Sequence, residues 1–152
     1  MRIGLISDTH DLLREEARRA LDGVDHIVHA GDICTPEVLD ALAAIAPVTA
    51  VRGNNDRGAW ADALPASACI RFDRVSVLVV HDLATLVSES ASEVDVVISG
   101  HSHRPLVERR GSVLYVNPGS AGQRRFRLPI SIGFLAIRGS EARAELHELD
   151  PA

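Results

Sequence analysis

Aspartate, histidine and asparagine residues recur in five short polar clusters, each directly after an apolar run of the chain. The metal-binding side chain types in these clusters are Asp8, His10, Asp32, Asn54, His81, His101 and His103. Carboxylate and amide oxygens combined with imidazole nitrogens, without thiolates, suit Mn²⁺, Fe²⁺, Co²⁺, Ni²⁺ or Zn²⁺. Seven donors are too many for one tetrahedral ion, but they suffice for two divalent ions that share a carboxylate.

Each cluster also has an ordinary structural interpretation when it is considered alone. Aspartate is a common helix N-cap, which could account for Asp8 and Asp32. Residues 53–56 (GNND) have a common turn composition, and a lone His81 would be a half-buried, hydrogen-bonded imidazole. Their joint occurrence favours one shared metal site over five unrelated turns. Three further histidines lack such neighbours and are interpreted as structural: His26, His29 and His147.

The segments that carry these clusters alternate between apolar strands and amphipathic helices. Strands are predicted over residues 2–7, 25–30 and 48–52, and helices over residues 12–21 and 36–45, the second with an N-cap at Thr35 and Pro36 at its first position. Two successive strand–helix units predict a mainly parallel sheet covered by helices. The carboxyl ends of its strands share one edge, so the polar clusters are expected to converge there.

The second half of the chain is richer in strands. Residues 69–72 and 75–80 predict a hairpin that turns at Asp73-Arg74, and further strands are predicted over 94–99, 112–116, 130–137 and 141–149. The last of these alternates small apolar with charged residues, which is typical of an edge strand, and a weak helical pattern covers 84–92. Without a repeat or a linker, residues 1–152 are predicted to form a single domain.

Composition excludes several function classes. All 16 basic residues are Arg, so a P-loop lysine, a pyridoxal phosphate Schiff base and lysine-based aldol chemistry are excluded. The net charge of −5 argues against a nucleic-acid coat and against an anionic membrane surface. No apolar run approaches the roughly 18 residues of a membrane span, and the first residues do not form a signal peptide, so a soluble, cytoplasmic protein is expected.

The ordered set of clusters resembles the calcineurin-like metallophosphoesterase superfamily over residues 1 to 120. Residues 51–56 (VRGNND), 100–105 (GHSHRP) and 117–120 (NPGS) resemble its small, cap-free prokaryotic phosphodiesterase branch in particular. The resemblance implies an α/β fold, a four-layer α/β/β/α sandwich of two mixed sheets with a metal pair at the end of the inner sheets. It also implies a phosphodiesterase that hydrolyses small phosphodiesters by attack of a metal-bound hydroxide at a dinuclear site.

Carried over residue by residue, the resemblance divides the donors between two ions. Asp8, His10, Asp32 and His103 would hold the first, and Asp32, Asn54, His81 and His101 the second, with Asp32 as the bridge. Two divalent ions are expected, Mn²⁺ before Ni²⁺, Fe²⁺, Co²⁺ or Zn²⁺.

Two positions depart from the superfamily pattern. Many superfamily phosphatases have a His at the position of Asn55, and that His is assigned to protonating the leaving group beside an acid equivalent to Asp56. An amide cannot donate a proton in that way, so the chain is expected to prefer diesters or activated esters. Asp82 stands where Gly is common, and its carboxylate is expected either to tune metal affinity or to orient a ligand imidazole.

A noncatalytic scaffold for protein contacts, as this fold provides in the retromer coat, is the main alternative. A structural zinc protein would need thiolates, and only Cys34 and Cys69 are present. A small phosphodiester is the expected substrate. Neither a membrane partner nor stable nucleic-acid binding is expected, and a homo-oligomer is one alternative to a monomer. Four arginines lie near the predicted site loops: Arg57, Arg104, Arg124 and Arg125. Each is either a candidate to bind phosphate or a solvated surface residue.

Overall fold

The structure is a computed structural model that describes residues 1–86, 93–125 and 127–149. These ranges contain ten strands, three short α-helices and one 3₁₀ helix. The strands are β1 (Arg2–Ile6), β2 (His26–His29), β3 (Val48–Ala50), β4 (Ser67–Phe72), β5 (Val75–Val80), β6 (Val96–Ile98), β7 (Leu106–Arg110), β8 (Val113–Asn117), β9 (Ser131–Arg138) and β10 (Glu141–Glu148). The helices are α1 (Glu15–Ala20), α2 (Pro36–Ala43), α3 (Ala59–Asp62) and the 3₁₀ helix Leu83–Thr85.

The strands form two mixed sheets of five strands each. The first sheet has the order β10-β9-β1-β2-β3, with β1, β2 and β3 parallel and β9 and β10 antiparallel to their neighbours. The second has the order β4-β5-β6-β8-β7, with β5, β6 and β8 parallel and antiparallel strands at both edges. The carboxyl ends of the parallel strands in each sheet therefore lie at one edge of that sheet.

Side-chain alternation along the strands explains how the layers pack. In β1, Leu5 faces the second sheet in a core that also holds Val77 and Ile98, whereas its neighbour Ile6 faces a second core containing Leu21 and Leu42 of the helical layer. The outer face of the second sheet packs against the 3₁₀ helix through Leu78, Val80 and Leu83. The layers follow the predicted α/β/β/α order, so the fold class is confirmed.

Several predicted elements differ from the observed ones. The prediction of a mainly parallel sheet holds for β1, β2 and β3 but is wrong for the first sheet as a whole, because β9 pairs antiparallel with β1 and β10 pairs antiparallel with β9. The helix predicted from residue 12 begins only at Glu15, since the backbone N–H of Asp11 donates to the carbonyl of Ile33 in the loop after β2 and that of Leu12 donates to the carbonyl of Thr9. The predicted hairpin and the β10 edge strand are confirmed.

Two further differences concern short or exposed elements. Strand β7 was not predicted because all five of its residues are exposed and show no alternation. Of the helical pattern over residues 84–92, only the 3₁₀ turn is seen, and residues 87–92 lie outside the described residues. Among the described helices, none combines the length and the apolar character needed to cross a membrane.

Candidate metal centre

The seven predicted ligands lie together where loops from both sheets meet. Asp8 and His10 follow β1, Asp32 follows β2, Asn54 follows β3, His81 follows β5, and His101 and His103 follow β6. The first four residues therefore belong to the first sheet and the last three to the second. Asp8, Asp32, His81 and His103 are buried, whereas His10 is half-buried and Asn54 and His101 are exposed.

Nε2 of His10 lies in a group of four donor atoms, within 3.8 Å of each of the other three. This nitrogen lies 3.4 Å from Nε2 of His103, 3.8 Å from Oδ1 of Asp8 and 3.6 Å from Oδ2 of Asp32. Nε2 of His103 in turn lies 3.5 Å from the same oxygen of Asp8. Two imidazoles and two carboxylates therefore turn their donor atoms toward one point.

A second group of donor atoms surrounds the side-chain oxygen of Asn54. Oδ1 of Asn54 lies 2.9 Å from Nε2 of His81 and 3.1 Å from Nδ1 of His101. Nε2 of His81 is also 3.4 Å from Oδ2 of Asp32. Oδ2 of Asp32 is thus common to both groups.

The hydrogen bonding within these groups fits divalent cations. Nδ1 of His81 lies 2.7 Å from the carbonyl oxygen of Ala30 and therefore carries the ring proton, so in the neutral ring the lone pair of Nε2 faces the oxygens of Asp32 and Asn54. Oδ1 of Asp8 is fully buried and has no hydrogen-bond partner among the described residues. With His81 neutral, these lone pairs converge without a proton between them, which is the arrangement that a divalent cation needs, whereas protonated His81 donates a hydrogen bond to Asp32 instead.

Burial and mutual charge shift the protonation of the cluster. Burial raises the pKa of Asp8 to about 6, because the charged carboxylate loses its hydration. Burial acts in the same direction on Asp32, but hydrogen bonds from His81 and Asn55 outweigh it and hold the pKa of Asp32 below its ordinary value. For His81, burial is outweighed by its bonds to Asp32 and Ala30, and its pKa is raised. Two carboxylates are thus held close together at a point where a cation would stabilise both.

Five of the seven candidate ligands have a left-handed backbone conformation. The φ angles are 53° for Asp8, 44° for His10, 57° for Asp32, 69° for His101 and 62° for His103. This conformation is uncommon for residues other than glycine, and clusters of it are typical of functional sites, where the surrounding structure compensates the strain.

Comparison with known proteins assigns the chain to a family. The profile of the calcineurin-like phosphoesterase superfamily domain matches residues 1–140. The chain belongs to this superfamily. Its resemblance to the family, predicted from the polar clusters, is therefore confirmed.

Relatives within the superfamily match nearly the whole chain. The "Probable metallophosphoesterase" of Methanothermobacter thermautotrophicus is 34% identical, and the match covers 96% of this chain and 91% of that protein. A solved structure described as a novel archaeal phosphodiesterase is 26% identical, covers 97% of this chain and 100% of its own, and has a TM-score of 0.80. Vps29 of Entamoeba histolytica complexed with Zn²⁺ shares the fold, with 22% identity, coverage of 99% and 100%, and a TM-score of 0.77.

In this superfamily member, Asp56 holds the loop that carries Asp32. Its buried carboxylate accepts backbone N–H groups from Asp32 at 3.0 Å, from Ile33 and Cys34 at 2.8 Å each, and from Gly53 at 2.8 Å. A carboxylate with four such bonds has no direct contact to make with a substrate. These bonds make Asp56 a support of the loop that carries Asp32, and its part in the reaction stays a prediction.

Close backbone approach between two loops brings Asn54 next to Asp32. A Cβ atom at Gly53 would overlap the backbone nitrogen and the carboxylate of Asp32, so only glycine leaves room for the contact. Asn55 then reaches the carboxylate of Asp32 with both its backbone and its side-chain nitrogen. The GNND segment thus supplies one candidate ligand and three residues that fix another.

Two residues near the centre acquire roles that the sequence left open. Nε2 of His101 lies 3.8 Å from Oδ2 of Asp82, so the carboxylate of Asp82 lies beside the imidazole of His101, and its effect on metal affinity or on the imidazole stays a prediction. His29 is fully buried, accepts the N–H of Gly31 at Nδ1 and contacts the hydroxyl of Thr9 through Nε2. It joins two site loops without pointing a free nitrogen at the centre, and only the strand-end position of His29 in the sequence hinted at such a role.

The four candidate arginines differ in their relation to the centre. Burial first, and then the positive charge of Arg125, lower the pKa of His103 to about 4, and the same charge acts on His10. Arg104 lines a cavity beside His101. All four arginines are exposed, and Arg57 and Arg124 have no recorded relation to the centre within the part of the chain that the structure describes. Arg104 and Arg125 are therefore the two of the four that lie near the centre.

Proposed function

We propose that the chain is a metal-dependent phosphodiesterase that hydrolyses small phosphodiesters with two divalent ions. The observation that carries this proposal is the shared oxygen of Asp32, which lies 3.6 Å from Nε2 of His10 and 3.4 Å from Nε2 of His81. Such an arrangement suits two ions bridged by one carboxylate. The similarity to an archaeal phosphodiesterase supports the choice of a diester.

The donor set also leaves a positive charge that suits an anionic phosphate ester. Asp8 and Asp32 are the carboxylates of the two donor groups, and Asn54 adds a neutral oxygen. Two divalent ions with these two carboxylates have a net charge of about +2, which attracts a phosphodiester monoanion. Manganese is the ion we propose first, because oxygen and imidazole donors suit it, with nickel, iron, cobalt and zinc as alternatives.

In the proposed hydrolysis, a water oxygen forms a bond to phosphorus and the bond from phosphorus to the leaving alcohol breaks. Divalent ions, when bound, polarise the phosphoryl oxygens and lower the pKa of water. Asn55 holds the carboxylate of Asp32 in place but has no proton for the leaving alcohol, which must take its proton from water. Good leaving groups therefore react fastest. The side chain of His101, 46% exposed, leaves this part of the centre open to substrate.

The test measures hydrolysis of bis-p-nitrophenyl phosphate and of p-nitrophenyl phosphate with Mn²⁺ and with a chelator. We expect metal-dependent cleavage that is faster on the diester and is lost in Asp8→Asn, because that change removes a buried ligand oxygen. Asp22→Asn, which alters an exposed aspartate on the helical side, is the matched control and should behave as the unaltered chain does.

The alternative is a noncatalytic scaffold, and the shared fold with Vps29 is the observation that favours it. Absence of hydrolysis with every divalent ion, in a folded protein, would support this alternative and would overturn the phosphodiesterase proposal. Filled ligand positions in all five loops favour the enzyme. A cytoplasmic location, a homo-oligomer and the absence of stable nucleic-acid binding remain predictions.

A further inference from the structure

A cavity of about 480 Å³ lies directly beside the candidate metal centre. Its apolar wall comes from four side chains on three separate segments: Leu83, Pro105, Leu106 and Leu128. Asp82, Ser102 and Arg104 add polar groups. A cavity of this size with a largely apolar wall and a few polar groups is typical of a small-molecule site.

His101 joins the cavity to the metal centre. Its Nδ1 is 3.1 Å from Oδ1 of Asn54 in the second donor group, and the same residue lines the cavity. Asp82, which also lines the cavity, has Oδ2 at 3.8 Å from Nε2 of this imidazole. A molecule with its phosphate at the donor groups therefore has one neighbouring space of low polarity for its organic part.

We propose that this cavity binds an aromatic or similarly apolar organic group of the phosphodiester, and that it thereby selects substrates that carry such a group. This inference rests on the proposed function and names its substrate class. Burial of an aromatic group against leucine and proline side chains supplies affinity that a methyl ester cannot obtain.

Two arginines lie at or near the wall of the cavity. The backbone N–H of Leu128 donates to the carbonyl of Arg125 at 3.2 Å, so one turn carries both residues. Leu128 lines the cavity, and Arg125 places a positive charge three residues before it in the chain. Arg104 also lines the cavity, and its planar guanidinium can stack on an aromatic ring. The surroundings thus suit an anionic phosphate with an aromatic ring attached.

The test compares binding of methyl phenyl phosphate and dimethyl phosphate, which share the charged centre but differ in one phenyl group. Binding to the Zn²⁺-loaded protein is followed by amide NMR shifts, with the amides of Leu83, Ser102 and Leu128 as cavity probes. We expect the phenyl ester to bind about tenfold more tightly than the dimethyl ester and to shift these amides.

The matched variants are Leu106→Ser in the cavity and Leu146→Ser on β10, since the two leucines are 37% and 38% exposed. Leu106→Ser should weaken binding of the phenyl ester about fivefold, whereas Leu146→Ser should not change it. Equal affinity of the two esters, or equal effects of the two variants, would overturn the inference. These readouts need no turnover. If the phenyl ester binds in the cavity as expected but no ester is hydrolysed, the proposed function is refuted and the binding role of the cavity is not.

Discussion

Both nitrogens of Asn55 donate to the carboxylate of Asp32, the backbone N–H to Oδ1 at 2.8 Å and the side-chain amide to Oδ2 at 2.9 Å. The residue next to the candidate ligand Asn54 therefore fixes the oxygen that the two donor groups share. It does so with an amide, which holds a carboxylate firmly and donates no proton to a leaving group.

Asn55→His introduces a group that can protonate a leaving alcohol. We expect kcat/KM for phenyl phosphate to rise about tenfold relative to kcat/KM for bis-p-nitrophenyl phosphate, because a poor leaving group gains most from an acid. Steady-state kinetics on both esters checks this. Asn55→Ala removes the amide without adding an acid and should leave the ratio unchanged. A ratio that is the same in the His variant would contradict the role assigned to Asn55.

The shared oxygen of Asp32 predicts a graded loss of metal. Asp32→Asn should retain no tightly bound ion, because both donor groups contain this carboxylate, whereas His101→Ala should retain about one ion of about two. Elemental analysis of the desalted proteins measures the ratio of metal to chain. Loss of the same number of ions in both variants would argue against two sites that share Asp32.

The four backbone hydrogen bonds to Asp56 predict a large effect on stability. Asp56→Ala leaves buried N–H groups of Asp32, Ile33 and Gly53 without a partner, and we expect it to lower the free energy of unfolding by about 3 kcal/mol. Urea titration measures the change. Asp62→Ala, an exposed aspartate on α3, is the control and should alter stability by less than about 0.5 kcal/mol. Equal effects would mean that Asp56 does not hold the loop.

The pair of Asp82 with His101 predicts an effect on metal affinity without loss of the local turn. Asp82→Asn keeps an oxygen that can accept the N–H of Ala84, as Oδ1 does now, but removes the negative charge beside the imidazole. We expect divalent metal affinity, measured by competition with a chelating dye, to fall about tenfold. Asp95→Asn, which alters the aspartate bonded to Ser76, should have no effect on affinity.

Removal of divalent ions should lower thermal stability. Asp8 and Asp32 hold two carboxylates close together in a buried site, and bound cations stabilise only the folded arrangement. We expect chelation to reduce Tm by about 10 °C in differential scanning calorimetry. The Tm of Asp32→Asn should not respond to the chelator. An unchanged Tm in the parent chain would show that folded-state metal binding is weak.

The sequence predicted the parts of the fold that have periodic burial. Strands β1, β2 and β5 are apolar runs that end in polar residues, so both their type and the position of the site followed from the pattern. Strand β7 has no buried residue and pairs only with β8, and no local signal marks it. The antiparallel pairing of β9 with β1 depends on residues far apart in the chain, which periodicity does not record.

The candidate site was predictable as a set of residue types, but the supporting contacts were not. Asp8, His10 and Asp32 could be chosen because carboxylate and imidazole donors follow successive strands. The clamp formed by Asp56 and the contact of Asp82 with His101 depend on how loops meet in space, and the side-chain chemistry of an aspartate is the same in either role. The sequence therefore indicated which side chains can bind a metal ion, and the geometry separated the candidate ligands from the residues that hold their loops.

The candidate ligands straddle the boundary between the two sheets, and His10 and His103 meet across 93 positions of the chain. Ions bound between these loops would act as a noncovalent cross-link that fastens one sheet to the other at a single edge. The opposite edge of the sandwich is joined without a metal, because the backbone N–H of Arg74 donates to the carbonyl of Gly139 at 3.1 Å and the N–H of Gly139 donates to Oδ2 of Asp73 at 2.9 Å. In the metal-free chain, the sheets would therefore separate first at the site, and partial opening there would require less free energy than global unfolding.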